Sequence, residues 1–590
     1  MSFFTDASFV MDPNVYGVGK LYVPKPTDGT GDLTFTRAST GTRVNQDGLI
    51  EKVRTNELTY SNDFSNAAWG KSFAALTGGQ SGYDGTNNAW KLQASGSTSC
   101  YINQGSFSVL RAHSIYAKAG TYDQISIING GYGQGVQFDL TSGIIVTNSN
   151  SSIYSPTITS VGSGWYKISL GIQSFAPTYG FLLAPQLLNG GGIVDGEYIY
   201  IQNAQTEYND IATDYIATTT SAVSVGPLAN IPRLNYGSDG CPSLLLEPQR
   251  TNLIFPSEDF SNINFLATNL TVTTNQAISP DGNQNADKLT TTSTTGECQV
   301  RYSNFSVSSN VGSAFTTTVY AKKGTADFLR IRNLFVQDGG GFGSAWFNIN
   351  NGTVSSVQSS QIARITDAGN GYYRCSLTGI VGTSPLNIID IGITNTNGVN
   401  FPTTAVDGFI YGAMLEQGSY ATSYIPTLSA EITRVQEGAF KAGISSLIGQ
   451  TEGVAFVDFV WNGLTGTGSY PRVMELWADS SNYLQFYTVA GDATVYWEIK
   501  TAGVVQFDGN TSMSLGHNKI AIGYKLNDMV IYKNGALIAS DATCAVPSTS
   551  AFGVAGSYVG SGAQLAASVN QALLFKTRLS NADLARLTSL

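Results

Sequence analysis

Ala212-Thr213-Asp214-Tyr215-Ile216 and Ala421-Thr422-Ser423-Tyr424-Ile425 are one phrase written twice, and they mark the ends of a duplicated unit. Read backwards from each, the matches continue in order. Ala204 and Glu207 answer to Ala413 and Glu416. Gly164-Trp165-Tyr166-Lys167 answers to Gly371-Tyr372-Tyr373-Arg374, and Phe138 to Phe347. Ile115-Tyr116-Ala117-Lys118 answers to Val319-Tyr320-Ala321-Lys322. Asn62-Asp63-Phe64-Ser65-Asn66 answers to Glu258-Asp259-Phe260-Ser261-Asn262, and Arg54-Thr55-Asn56 to Arg250-Thr251-Asn252. The separation grows from 196 residues (Arg54 to Arg250) to 209 (Ala212 to Ala421). The second copy therefore carries insertions between matched blocks, where loops tolerate them and strands do not. A period this long is a duplicated domain, not a solenoid.

Inside each copy the hydrophobic period is two. Gln137-Phe138-Asp139-Leu140-Thr141, Glu197-Tyr198-Ile199-Tyr200-Ile201 and Ala345-Trp346-Phe347-Asn348-Ile349 all alternate, the pattern of short half-buried strands. The stretch 450–590 behaves alike. Lys519-Ile520-Ala521-Ile522-Gly523-Tyr524 and Met529-Val530-Ile531-Tyr532-Lys533 flank a turn, and Asn534-Gly535 is a type I′ hairpin signal. Ser580 is placed to cap a short helix with Leu584 and Leu587 on one face. The expected fold is all-β: tandem antiparallel β-sandwiches, two homologous jelly rolls and a third sandwich, with few short helices. Connectors repeat as well: Arg43-Val44-Asn45, Arg233-Leu234-Asn235 and Thr433-Arg434-Val435. The expected layout is an N-terminal segment and connector at 1–54, jelly rolls at 55–220 and 251–430, connectors at 221–250 and 431–449, and a terminal sandwich at 450–590.

Composition narrows the function. Charged residues are 12 % of the chain and the net charge is −10, so neither nucleic acid nor an anionic membrane surface is an expected partner, since both attract clustered Lys and Arg. No apolar run approaches the ~18 residues of a membrane span. The five cysteines, Cys100, Cys241, Cys298, Cys375 and Cys544, are odd in number and never at CxxC spacing. That argues against a disulfide framework or zinc site and for folding in a reducing cytoplasm.

Three motifs carry a resemblance. Leu245-Leu246-Glu247 to Arg250-Thr251-Asn252-Leu253, then Ser257-Glu258-Asp259-Phe260-Ser261, resembles the opening of carbohydrate-binding-like sandwich modules in bacteriophage fibre proteins. Leu415-Glu416-Gln417-Gly418 with Ala421-Thr422-Ser423-Tyr424-Ile425-Pro426-Thr427 resembles their ending. Leu33-Thr34-Phe35-Thr36-Arg37-Ala38-Ser39-Thr40 with Thr42-Arg43-Val44 is similar to head-fibre and tail-fibre proteins. The terminal meander and Leu573-Leu574-Phe575 to Arg578-Leu579-Ser580 resemble concanavalin-A-like, or laminin-G-like, sandwiches. The resemblance implies a virion protein made in the bacterial host cytoplasm, a head fibre first and a tail fibre or receptor-binding protein second. It implies a homo-oligomer, expected as a trimer, held to capsid or tail proteins through its N-terminus and binding cell-surface glycans. A tailspike-like depolymerase and a purely structural spacer are the competing readings.

The chemistry points to binding rather than catalysis. His113 and His517 are the only histidines and fall in different domains, which disfavours a Ser-His-Asp triad or a multi-histidine metal site. Glu207 and Glu416 recur without a recurring acidic partner, as glycoside hydrolysis would need. With Arg54, Arg250, Tyr215 and Tyr424 they read as repeated structural residues. Trp461, Trp477, Tyr483, Tyr487, Tyr496 and Trp497 crowd one stretch and are the candidate ligand-binding aromatics, some of them expected in the core. No cofactor is expected; calcium is the metal that Asp281-Gly282-Asn283 and Asp84-Gly85-Thr86-Asn87 would suit, though turn chemistry explains both. At the N-terminus, Phe3, Phe4, Phe9, Val10, Tyr16 and Tyr22 are interrupted by Pro13, Pro24 and Pro26. So short and proline-broken a stretch needs another surface to bury its apolar side chains, and the virion is the expected one.

Overall fold

The computed structural model describes residues 3–96, 100–105, 111–128, 135–148, 153–172, 181–185, 192–208, 211–237, 240–338, 341–358, 360–461, 470–489, 493–556 and 565–590. The chain is all-β, as the period-two runs require. Among the described residues the helices are Phe3–Asp6 and Asn581–Leu587. The second is capped by Ser580, which accepts from the Asp583 N–H, and buries Leu584 and Leu587. The fold divides into two units, Val53–Gly226 and Met1–Lys52 with Pro227–Leu590.

The first unit is a sandwich of two six-stranded antiparallel sheets. One runs Ile153–Gly162, Trp165–Ile172, Arg111–Ala119, Tyr198–Glu207, Ala89–Ala94, Ala74–Gln80. The other runs Ile144–Asn148, Gly135–Asp139, Gln124–Ile128, Phe181–Ala184, Tyr101–Gln104, Gly70–Ser72. Leu92, Ile115, Ile125, Phe138 and Ile168 meet between them.

The second copy, inside the other unit, has the same order. Ile362–Asp367, Tyr372–Ile380, Ala314–Lys323, Asp407–Gln417, Ala286–Thr291 and Leu270–Ala277 form one sheet. Thr353–Val357, Gly341–Asn348, Phe328–Asp338, Ile389–Thr394, Gln299–Tyr302 and Phe265–Thr268 form the other. Even an irregularity repeats: the register shifts between Ser114 and Tyr116 in one copy and between Thr318 and Tyr320 in the other. Each copy is closed by a two-stranded neck. Arg54–Asn56 pairs with Val223–Val225, and Arg250–Asn252 with Ile432–Arg434. A hydroxyl pair at 2.7 Å, Thr55 with Ser224 and Thr251 with Thr433, ties each neck across.

The third sandwich departs from the expected layout. It is not confined to 450–590. Its eight-stranded sheet runs Arg233–Tyr236, Pro242–Leu246, Ala567–Phe575, Glu452–Trp461, Gly516–Lys525, Asp528–Lys533, Ala536–Asp541, with Phe9–Met11 also paired to Ala567–Phe575. Its nine-stranded sheet runs Val15–Gly17, Lys20–Tyr22, Leu33–Thr36, Gly438–Ala442, Ala551–Val554, Arg472–Asp479, Asn482–Thr488, Thr494–Thr501, Val504–Ser512. Of the segments read as connectors, Arg233–Tyr236, Pro242–Leu246 and Gly438–Ala442 are strands of this sandwich, whereas Arg43–Val44 pairs with Ile50–Glu51 and Ile432–Arg434 belongs to a neck. Phe9, Leu21, Leu33, Phe35, Leu234, Leu246 and Ile448 share one core with Phe456's neighbours Ala455 and Val457 and with Trp461, Phe486 and Ile522. In sequence, both jelly rolls are therefore insertions within one discontinuous sandwich, not beads preceding it.

The returning connectors converge on a buried charge cluster. Arg37, Arg233 and Arg434 meet Glu247 and Glu437, with every side chain at most 6 % exposed. Arg37 lies 2.6 Å from Glu437, Arg233 2.8 Å and Arg434 3.0 Å from Glu247, and Arg233 also grips Glu437. Burial alone would push the Glu247 carboxyl up, but Arg434 and Arg233 hold it well below the usual range. Buried guanidinium and carboxylate groups persist only when paired in this way.

Candidate functional site

Three neighbouring strands of the nine-stranded sheet set the geometry. Leu476, Leu484, Phe486, Val495, Trp497 and Ile499 turn inward to the core. Because side chains alternate along a strand, their neighbours share the opposite face and fall into register rows. Arg472, Tyr487 and Tyr496 form one row; Glu475, Gln485 and Glu498 the next; Trp477, Tyr483 and Lys500 the third. The two outer rows are aromatic with a cation, and the middle row is polar.

Contacts knit this grid together. Trp477 stacks on Tyr483 with ring centroids 5.2 Å apart and planes at 9°. Tyr487 stacks on Tyr496 at 5.4 Å and 17°, and Tyr470, 55 % exposed, meets Tyr487 edge-on at 5.4 Å. Lys500 Nζ lies 5.2 Å from the Tyr483 ring centre and the Arg472 guanidinium 5.5 Å from that of Tyr487, which fixes both cations against aromatic faces. Arg472 is 3.5 Å from Glu475, and the Tyr483 hydroxyl donates to Glu498. Burial, then Glu498, pushes the Tyr483 hydroxyl above the usual phenol range, so it remains a donor. In the middle of the grid the Gln485 side-chain oxygen is buried with no hydrogen-bond donor among the described residues. Such an acceptor costs about 1–3 kcal/mol while unsatisfied.

The six aromatics singled out in the sequence thus separate. Trp477, Tyr483, Tyr487 and Tyr496 line the grid. Trp461 and Trp497 do not: at 1 % and 3 % exposure they fill the core, because they occupy the inward phase of their strands. Sequence reading missed Arg472, Glu475, Gln485, Glu498 and Lys500. Its usable signal was the period-two interleaving Tyr483-x-Gln485-x-Tyr487 and Tyr496-x-Glu498-x-Lys500.

The N-terminal apolar residues also find their places. Phe9 and Val10 are fully buried, pairing with Leu574 and Leu573. Phe3 packs edge-on to Phe575 at 6.4 Å, and Tyr16 accepts from Arg43 at 2.8 Å. Phe4 and Tyr22 remain exposed at 47 % and 42 %. The surface that Phe9 and Val10 require is this chain's own sandwich, which corrects their reading as a virion anchor.

The repeated residues hold turns and necks. Glu207 accepts from the backbone and hydroxyl of Thr213 at 2.7 and 2.5 Å, and Glu416 from Thr422 at 2.7 and 2.6 Å. Arg250 sits 3.6 Å from Glu416, while Arg54 bears electrostatically on Glu207. Tyr215 and Tyr424 hydroxyls meet Ser61 and Ser257 at 2.7 and 2.6 Å.

At the proposed calcium turns, Lys52 Nζ lies 2.7 Å from Asp281 and 2.9 Å from Glu258, so an ammonium already fills the cation's place. Asp84 caps its own turn through Thr86 and accepts from Gln202 at 3.0 Å. Among the described residues no group of three His, Cys, Asp or Glu side chains is placed to hold a metal.

No family model matches the chain, and no curated protein is significantly similar to it in sequence. Some solved structures are weakly similar to parts of the chain. The CBM40 module of the Ruminococcus gnavus IT-sialidase, solved with alpha2,3 sialyllactose, is 13 % identical, with a TM-score of 0.22 over 26 % of this chain and 92 % of its own. The CBM22 tandem of Paenibacillus barcinonensis Xyn10C is 11 % identical, at 0.18, over 66 % of this chain and 100 % of its own. Mouse laminin alpha1 domains LG4-5 are 8 % identical, at 0.16, over 46 % and 86 %. Similarity at this level assigns the chain to none of these families.

Proposed function

We propose that the chain is a glycan-binding display protein and that the aromatic grid of its discontinuous sandwich is the ligand face. One observation carries this reading: two stacked aromatic pairs flank Gln485, whose buried oxygen has no donor. A pyranose offers the complement, an apolar ring face for the aromatics and hydroxyl donors for the amide. Binding fits better than turnover, because both nearby carboxylates are engaged, Glu475 fully buried beside Arg472 and Glu498 holding the Tyr483 hydroxyl. The virion placement, as a head fibre before a tail fibre, the trimer and the capsid or tail partners are part of the proposal and rest on the sequence resemblance. Single glycan contacts of this kind are weak, and many copies on one particle make them effective.

A glycan array followed by titration tests the face. Tyr487→Ala and Tyr496→Ala should each lower affinity for whichever glycan binds by about tenfold, close to 1.4 kcal/mol, with the melting temperature nearly unchanged. An unaltered glycan profile in both variants, or release of new reducing ends by the wild type, would sink the reading.

A further inference from the structure

The second jelly roll carries a charged face that the first does not. Its sheet of strands Gln299–Tyr302, Ile389–Thr394, Phe328–Asp338 and Gly341–Asn348 turns Val300, Ile331, Phe347 and Ile391 to the core. Arg301, Arg330, Arg332, Trp346 and Asp390 take the other side. By register, the same positions in the first copy hold Asn103 for Arg301, Ser126 for Arg330, Ile128 for Arg332 and Gln137 for Trp346. None is charged, so the charges are not needed to build the shared fold.

Within this face three guanidinium groups meet two carboxylates. Asp390, with no exposed side chain, accepts from Arg301 at 2.7 and 3.1 Å and from Arg332 at 2.9 Å. Glu297 accepts from Arg332 at 2.9 and 2.8 Å and from Asn400 at 2.7 Å. Arg330 is left short. It donates to Gln299 at 2.6 Å and approaches Glu297 only to 3.8 Å. Its Nε and one terminal nitrogen are buried without an acceptor among the described residues, and its side chain is 1 % exposed. Burial, then the Arg332 charge, pulls the Arg330 guanidinium down to about 10, the mark of a cation lacking its anion. Glu297, 39 % exposed and two residues ahead of strand Gln299–Tyr302, is the one carboxylate of the pair able to swing away.

We propose that this face binds the carboxylate of an acidic sugar, a uronic acid, and that Glu297 is a tethered competitor which the ligand displaces from Arg332 and Arg330. A carboxylate matches the guanidinium fork in two parallel hydrogen bonds. The neutral side chains alongside, Gln299 and Asn400, suit sugar hydroxyls. The inference rests on the second jelly roll alone and does not depend on the aromatic grid.

The test titrates the full chain with D-glucuronate, using glucose and a triglutamate peptide as comparisons. Glu297→Gln should bind glucuronate at least fivefold more tightly than wild type, and Arg330→Gln should abolish the binding. Equal binding of glucose, equal binding of triglutamate, or no gain in Glu297→Gln would each overturn it. Should Arg330→Gln prove unstable in a thermal melt, Arg330→Lys, which keeps charge but loses the fork, takes its place, and undiminished binding there overturns it too.

Discussion

Lys52 shows how one side chain differentiates two copies. In the second jelly roll it sits between Glu258 and Asp281, with the Tyr411 hydroxyl 3.1 Å away. In the first, Asn62 stands at the place of Glu258 and Gln202 at that of Tyr411, and the aspartate Asp84 meets an amide. Removing Lys52 strands two carboxylates, so Lys52→Met should cost about 3–5 kcal/mol, read as a lower denaturant midpoint, with Glu258→Gln in the same chain restoring part of it. The two copies also differ toward acid. Burial, with Arg111 adding to it, pushes His113 from the usual 6.5 down to about 3. A lowered folded value means stability present above the unfolded value and lost as pH falls through the folded one. The first unit should therefore weaken from pH 6.5 toward 3. Burial would raise Asp281, but Lys52 outweighs it and holds the group at about 2 instead of 3.8, so its contribution is lost only below 3.8. Glu207, raised by burial, opposes the trend once carboxylates protonate. Amide exchange at pH 5 should thus show protection falling in 53–226 before 251–430; simultaneous loss would contradict this. None of these pairings was legible in sequence, because a lysine and two acids that lie 206 and 229 positions away (Lys52, Glu258, Asp281) share no pattern until the strands are placed.

At the scale of elements the sequence was far more informative. Period-two alternation and the duplicated phrases located the strands, the Ser580 cap and the common strand order, because burial on one face writes itself directly into the chain. It could not assign phase: Trp497 and Tyr496 are adjacent, equally aromatic, and face opposite sides. The inward phase leaves a signature that can be tested. A Cβ on Gly509, opposite Trp497, would lie 2.4 Å from the indole ring. Gly509→Ala should therefore overpack the core at a cost of about 1–3 kcal/mol, while Asn510→Ala beside it, across from Tyr496, should leave the melting temperature within a degree or two.

The layout of the whole molecule was the least legible. Short strands such as Phe9–Met11 and Arg233–Tyr236 read as an anchoring segment and a connector, since nothing local reveals a partner hundreds of residues away. Loss of residues 1–50 removes four strands from the discontinuous sandwich, so it should unfold the aromatic grid. Circular dichroism and glycan binding of that truncation check this, and retained binding would contradict it. The necks predict the opposite for an internal excision. Asn56 and Val223 are direct partners, so replacing 57–222 by Asn-Gly should form a hairpin and leave the remaining unit folded with its melting transition intact.

Phe9–Met11 pairs with Ala572–Leu574, and that pairing spans nearly the entire chain. On a ribosome adding about 5–20 residues per second, the opening strand waits roughly half a minute to two minutes for its neighbour. Both inserted jelly rolls can finish folding in that interval, whereas the sandwich that carries the grid cannot close until strand Ala567–Phe575 has been added. A prematurely terminated product would carry sound jelly rolls and an exposed, unpaired Phe9–Met11, a mark by which quality control could tell it from the finished chain.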